Sequence, residues 1–354
     1  KHGFVILLIN MATQLNFQPD RINFGEFERA FNQSLGHCLS SHLQELLKGK
    51  KIIFNSEDKN LIPVDGWGIR NIPYCTTPLT TIQPRMDNTT ICAVDSSTIQ
   101  LAETEDGALY GVKSGVVLSI GAQASIHFKI GPILFYLSEE TIGHSQLDHR
   151  LAKLILIDSD FAKRLIRIRV ERVIQMELSN NFSKSVILID GSLKSSLFEE
   201  KDQSIKNVAE NCILKQNSMI GISKSSKLRI IDRVCTPLTK IQGPAYMDVN
   251  LIIKSLVRNT VGDNLIAKFG NHNSPILRVD VVSSNSDKDE ALGKLLGNDS
   301  IACGYPETLR LAHHVSTFSS TEISCLRGHV LSNYDVTELA SKDIRKTLLG
   351  SISV

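Results

Sequence analysis

The 354-residue chain contains no C-x-x-C pair, no H-E-x-x-H, no G-x-G-x-x-G and no G-x-x-x-x-G-K-[ST]. Zinc-ribbon, zincin, dinucleotide-binding and P-loop ATPase readings therefore have no motif to stand on. A G-x-S-x-G nucleophile elbow is missing as well, because Gly221-Ile-Ser-Lys-Ser225 ends in serine. The apolar run that opens at Phe4 is broken at Asn10. It falls far short of the roughly 20 residues a membrane span needs, so neither an export nor an insertion signal is expected from it. Excess charge is missing too: 39 Lys and Arg face 37 Asp and Glu, a formal +2. That balance excludes a polybasic protein but not a local basic channel. The seven cysteines, Cys38, Cys75, Cys92, Cys212, Cys235, Cys303 and Cys325, are scattered and odd in number, which reads as reduced thiols in a cytoplasmic chain.

What is present is an ordinary globular composition, 42% apolar and 21% charged, long enough for one large domain or two ordinary ones. Residues 1–90 read as an extension, with a helix over Phe24–Leu47 stopped by Gly49 and then irregular sequence marked by Pro63, Pro73, Pro78 and Pro84. At Ile91 the texture changes. Ile91-Cys-Ala-Val94 runs into Asp95, as a buried strand ending in a carboxylate does. Leu109–Ile120 and Ala124–Leu137, set between glycines, predict an antiparallel meander. Apolar residues at spacings of three and four predict a helix over Phe161–Leu178 with interleaved arginines.

Asn180 and Asn181 end that helix, and Val186-Ile-Leu-Ile189 then runs into Asp190-Gly-Ser-Leu193, a buried strand opening into a loop. Ligand sites in α/β sheets favour that strand end. Further strands are predicted at Met219–Ile222, ahead of Lys224, and at Ile276–Val282, carrying Arg278 and Asp280. A helix near Val249–Leu256 lies between them, and Gly304-Tyr-Pro306 opens a last helix carrying His313.

In chain order this is strand, strand, strand, helix, strand, further α/β and a late helix: an α/β fold with a ribonuclease H-like mixed sheet flanked by helices. It runs over 91–335, after the 1–90 extension and before a tail at 336–354. Carboxylates at adjacent strand ends suit phosphoryl transfer, where two divalent cations about 4 Å apart activate water and stabilise the leaving oxygen. Asp95, Asp190 and His313 are candidate ligands, with Mg²⁺ or Mn²⁺ as the hard cation that such a set prefers. Each has an ordinary alternative: the aspartates as turn openers, His313 as a satisfied core histidine, Lys224 as a plain loop lysine.

The helix offers two glutamates. Projection at 100° per residue puts Glu177 nearer the apolar stripe, but height favours Glu171. The helix should run antiparallel to the strand it feeds, which climbs roughly 15–20 Å. Glu171 then lies roughly 9 Å nearer the strand's carboxyl end than Glu177. Glu171 is the expected third carboxylate.

Three segments, Ile187-Leu-Ile-Asp190-Gly-Ser-Leu193, Ile220-Gly-Ile-Ser-Lys224 and Gly304-Tyr-Pro-Glu-Thr-Leu-Arg-Leu-Ala-His313, resemble the NurA nucleases of archaea over roughly residues 90–330. The resemblance implies a metal-dependent DNA nuclease, exonuclease and ssDNA endonuclease included, working as a homodimer with the hexameric HerA helicase in DNA end resection and double-strand-break repair. It implies a catalytic and metal-binding set of Asp95, Glu171, Asp190 and His313, with Lys224 on DNA. One departure stands out: the family's first motif reads Asp-Gly-Ser, whereas this chain has Asp95-Ser96-Ser97. The rival reading is a noncatalytic dimeric adaptor that keeps the fold and binds DNA or the motor.

Overall fold

The computed structural model describes residues 43–54, 78–121, 124–144, 147–224 and 236–339. Its strands are β1 (Lys50–Phe54), β2 (Leu79–Thr81), β3 (Thr90–Glu103), β4 (Gly107–Ile120), β5 (Ala124–Ser138), β6 (Val186–Asp190), β7 (Ser218–Ser223), β8 (Ala245–Asp248), β9 (Asp263–Lys268), β10 (Leu277–Val282), the short β11 (Ile301–Ala302) and β12 (Tyr305–Pro306), and β13 (Val336–Glu338). The helices that matter for the site are α1 (Ser159–Asn181), α2 (Ile205–Leu214), α3 (Lys288–Asn298), α4 (Glu307–Ser316) and α5 (Ser320–Asn333).

β3, β4 and β5 form the antiparallel meander; β6 pairs parallel with β3, and β7 parallel with β6. The order β5-β4-β3-β6-β7, with α1 and α2 as the crossovers, is the ribonuclease H-like plan. Beyond β7 the sheet continues through antiparallel β10, β9, β8 and β2. Elsewhere β1 pairs against the last residues of β3, and β13 pairs with β1. Strands thus occur at 50–54 and 79–81, within the stretch read as a helical and irregular extension. Of the helix expected over Phe24–Leu47, residues 24–42 lie outside the described residues, and Leu43–Leu46 is helical.

The strands are apolar on both faces because helices cover both. Cys92 and Val94 of β3 and Ile187 and Ile189 of β6 pack toward α1, against Leu165, Ile166, Val170 and Ile174. Their neighbours Ile91, Ala93, Val186 and Leu188 pack toward α3 and α4, against Leu292, Leu295, Leu309 and Ala312. Side chains alternate along a strand. Asp95 therefore continues the Ile91–Ala93 row, and Asp190 the Val186–Leu188 row, toward the α4 face.

The sheet also has a split. One edge of β3 is paired with β4 along its length, but the other is paired with β6 only through Val94 and with β1 only from Ala102. Asp95 is the first residue past the β6 pairing, at the opening where the chain can admit a ligand.

Candidate metal centre

Asp95 is buried with 7% of its surface exposed, and its carboxylate is held on three sides. The Ser96 amide donates to Oδ1 at 2.8 Å, His313 Nδ1 meets Oδ2 at 2.6 Å, and the Ser316 hydroxyl donates to Oδ2 at 3.3 Å. His313 and Ser316 come from α4, which can approach this closely because β4 has a glycine opposite Asp95. Gly115 is the register partner of Asp95, and a Cβ there would lie 2.4 Å from the Ala312 carbonyl oxygen and 2.9 Å from the Val315 Cβ. Gly115→Ala is expected to push α4 outward and to separate His313 from Asp95. Overpacking of this kind costs about 1–3 kcal/mol, so urea melts should show a loss of that size together with slower cleavage.

The Asp95-Ser96-Ser97 departure has a structural answer. The extra side chain is buried, and the Ser96 and Ser114 hydroxyls hydrogen-bond at 2.7 Å. The strand absorbs it, and the Ser96 amide still reaches Asp95.

Asp190 ends β6, and Gly191 follows at φ 120°, a conformation that side-chain-bearing residues rarely adopt. Ligand atoms of Asp95, Asp190 and His313 all lie within 4.8 Å of one another. Two carboxylates and an imidazole converging in this way form a donor set that fits a divalent cation, with oxygen favouring Mg²⁺ or Mn²⁺ and nitrogen favouring Mn²⁺.

Glu171, on α1, is not among the three residues whose ligand atoms converge. Its side chain is 13% exposed, 3.9 Å from Arg167. Burial raises its pKa to about 7; Arg167 and Arg172 oppose the shift, and the charges of Asp95 and Asp190 add to it. Glu177 is buried too, as its place on the apolar stripe predicts, but it lies a turn and a half further along α1, with Asn181 donating to it at 3.3 Å. Of the interleaved arginines, Arg164 and Arg167 are exposed and the other two face inward. Arg169 and Arg172 are buried, bonded to the Phe198 carbonyl oxygen and to Glu199, and so tie α1 to the loop after Asp190.

Lys224 Nζ donates to Asp190 Oδ2 at 2.8 Å and lies 5.2 Å from the centroid of the Tyr305 ring. In this structure the lysine supplies the positive charge next to Asp190. Tyr305 is the group that reading the sequence missed. Its hydroxyl is buried without a well-formed hydrogen bond, and its pKa is pushed far up by burial and by the charges of Asp190 and Asp95. The signal was Gly304-Tyr-Pro306 itself, read only as a helix start. Pro306 proves to be the N-cap of α4 rather than part of its first turn, and Tyr305 pairs in the small β11–β12 ribbon.

Residues 89–259 match the family model of the NurA domain. Over that stretch, a little under half of its length, the chain is similar to the NurA domain. The matched span holds Asp95, Glu171, Asp190 and Lys224, whereas Tyr305 and His313 lie beyond it and are brought in by β12 and α4. Among solved structures, the NurA nuclease from Sulfolobus solfataricus is similar at 15% identity, covering 72% of this chain and 88% of that one, with a TM-score of 0.46. A NurA structure bound to dAMP and manganese is similar at 12% identity, covering 75% and 91%, with a TM-score of 0.43. Endonuclease V of Ciona intestinalis in complex with DNA is similar at 15% identity, covering 70% and 92%, with a TM-score of 0.32. No curated sequence matches the chain. No described helix is long and apolar enough to cross a membrane.

Proposed function

We propose that this protein is a divalent-metal-dependent nuclease that hydrolyses phosphodiester bonds in DNA. The observation that carries the reading is the convergence of Asp95, Asp190 and His313 at the split of a ribonuclease H-like sheet, the two aspartates lying in the stretch that matches the NurA domain. Asp95, Asp190 and His313 would hold the cation, with Glu171 of α1 as the third carboxylate of the set. Cations bound there supply an activated water and stabilise the leaving oxygen. The surrounding residues prepare the site. The Ser96 amide and Ser316 hydroxyl fix the Asp95 carboxylate, Asp95 orients the His313 ring through Nδ1, and Lys224 stands beside Asp190, where a phosphate oxygen would add negative charge.

The finer reading follows the NurA resemblance: a cytoplasmic homodimer that resects DNA ends in double-strand-break repair, driven by a HerA-type hexameric helicase. Cleavage of end-labelled single- and double-stranded DNA with Mn²⁺ or Mg²⁺, against EDTA and against matched RNA, tests the activity. Metal-dependent loss of full-length DNA is the expected result. A folded protein that binds DNA but cuts neither strand with either metal would instead be the adaptor. Light scattering and a helicase pull-down test the assembly.

A further inference from the structure

Beneath the Asp190 turn lies a buried ion pair. On β10, Arg278 and Asp280 sit two residues apart on one face. The Arg278 Nε donates to Asp280 Oδ1 and its Nη2 to Asp280 Oδ2, both at 3.0 Å. The same Nη2 reaches Asn264 Oδ1 of β9 at 3.1 Å. Asp280 and Asn264 are fully buried and Arg278 is 6% exposed. The second partner of Asp280 is a backbone group: the Leu193 amide donates to Oδ2 at 2.9 Å.

Leu193 closes the turn that begins at Asp190. That turn is held at Gly191, whose amide donates to the Ile222 carbonyl oxygen, and at Leu193, whose carbonyl accepts from Val261. Among these contacts, only the Asp280 bond depends on a side chain. Gly221 makes it reachable. It is the register partner of both Asp280 and Ile189, and a Cβ there would lie 2.7 Å from the Gly191 carbonyl oxygen and 2.8 Å from the Leu193 side chain. Its missing side chain leaves the space in which the turn settles onto β7 and meets the Asp280 carboxylate.

Building on the metal-site reading above, we propose that Asp280, locked by Arg278, is a positioning residue for Asp190. Through the Leu193 amide it fixes the turn that aims Asp190 at the cation. Replacing a group that orients a metal ligand commonly costs 10–100-fold in metal affinity, and a change within that range is expected here. A buried ion pair can be exchanged for apolar residues with little loss of stability, which allows the amide bond to be removed separately from the fold.

The test is titration of the full chain with Mn²⁺ alone, free ion being read by electron paramagnetic resonance and folding by near-ultraviolet circular dichroism. Arg278→Met with Asp280→Leu removes the acceptor, and its Mn²⁺ affinity should fall about tenfold or more. Arg278→Gln with Asp280→Asn leaves an oxygen for the Leu193 amide and should bind Mn²⁺ close to the parent. Parent-like affinity in the first pair, or equal weakening in both, overturns the proposal. Should the Met/Leu pair fail to fold, Asp280→Glu keeps the charge while displacing the carboxylate by one methylene, and unchanged Mn²⁺ affinity in that variant overturns it equally. Asp190→Asn is the reference: retained Mn²⁺ binding there would instead bring down the metal-site reading itself.

Discussion

Asp190→Asn is expected to lower metal-dependent cleavage by more than about a hundredfold while leaving the protein folded. The size follows from the geometry. Asp190 is one of three side chains whose ligand atoms lie within 4.8 Å of one another, and even partners one step removed from a metal are worth roughly 10–100-fold. The fold should tolerate the change because the interaction lost is the contact with Lys224, whose side chain is 44% exposed. Such pairs contribute at most about 1 kcal/mol. The β6 backbone pairing to β3 and β7 does not depend on the side chain. Rates on end-labelled DNA with Mn²⁺, beside urea melts of both proteins, check the two halves together. Undiminished cleavage would remove Asp190 from the site.

Asp190 was legible from sequence because the physics is local. Four apolar residues followed by a carboxylate and a glycine describe a buried strand reaching its open end, and that is where the residue lies. The meander and α1 were legible for the same reason: periods of two and 3.6 are written in consecutive residues. The choice of Glu171 rests on one further step, the relative heights of a helix and the strand it feeds, whereas burial alone would choose Glu177, which is indeed buried. Tyr305 and the Asp280–Leu193 bond were not legible, since each depends on contacts between segments about 90 or more residues apart. Likewise, the antiparallel run β10-β9-β8-β2 joins residues 79–81 to a sheet edge built from 245–282, a pairing no local pattern announces. Gly115 and Gly221 show the same limit from the other side. Both were visible as glycines in strands, but what each makes room for, α4 in one case and the Asp190 turn in the other, belongs to the folded molecule.

Glu171→Gln is expected to separate stability from activity. In the metal-free protein, burial raises Glu171 from its ordinary range to about 7, helped by the charges of Asp95 and Asp190. Between the unfolded value near 4.5 and the folded value, the folded state therefore holds more protons than the unfolded one. Its contribution to stability is complete below about pH 4.5 and is lost as pH rises through 7, a total of about 3 kcal/mol. A neutral amide carries no such cost. In EDTA the Gln variant should match the parent near pH 5 and exceed it by up to about 3 kcal/mol at pH 8, as read from urea melts at the two pH values. Mn²⁺ should reverse the order at pH 8, because a cation that binds the folded state stabilises it and the variant lacks one of the carboxylates that draw it in. The variant should also cleave DNA far more slowly than the parent. A parent whose stability in EDTA does not fall relative to the variant between pH 5 and 8 would show that Glu171 is already ionised in the metal-free protein and that burial does not hold its proton there.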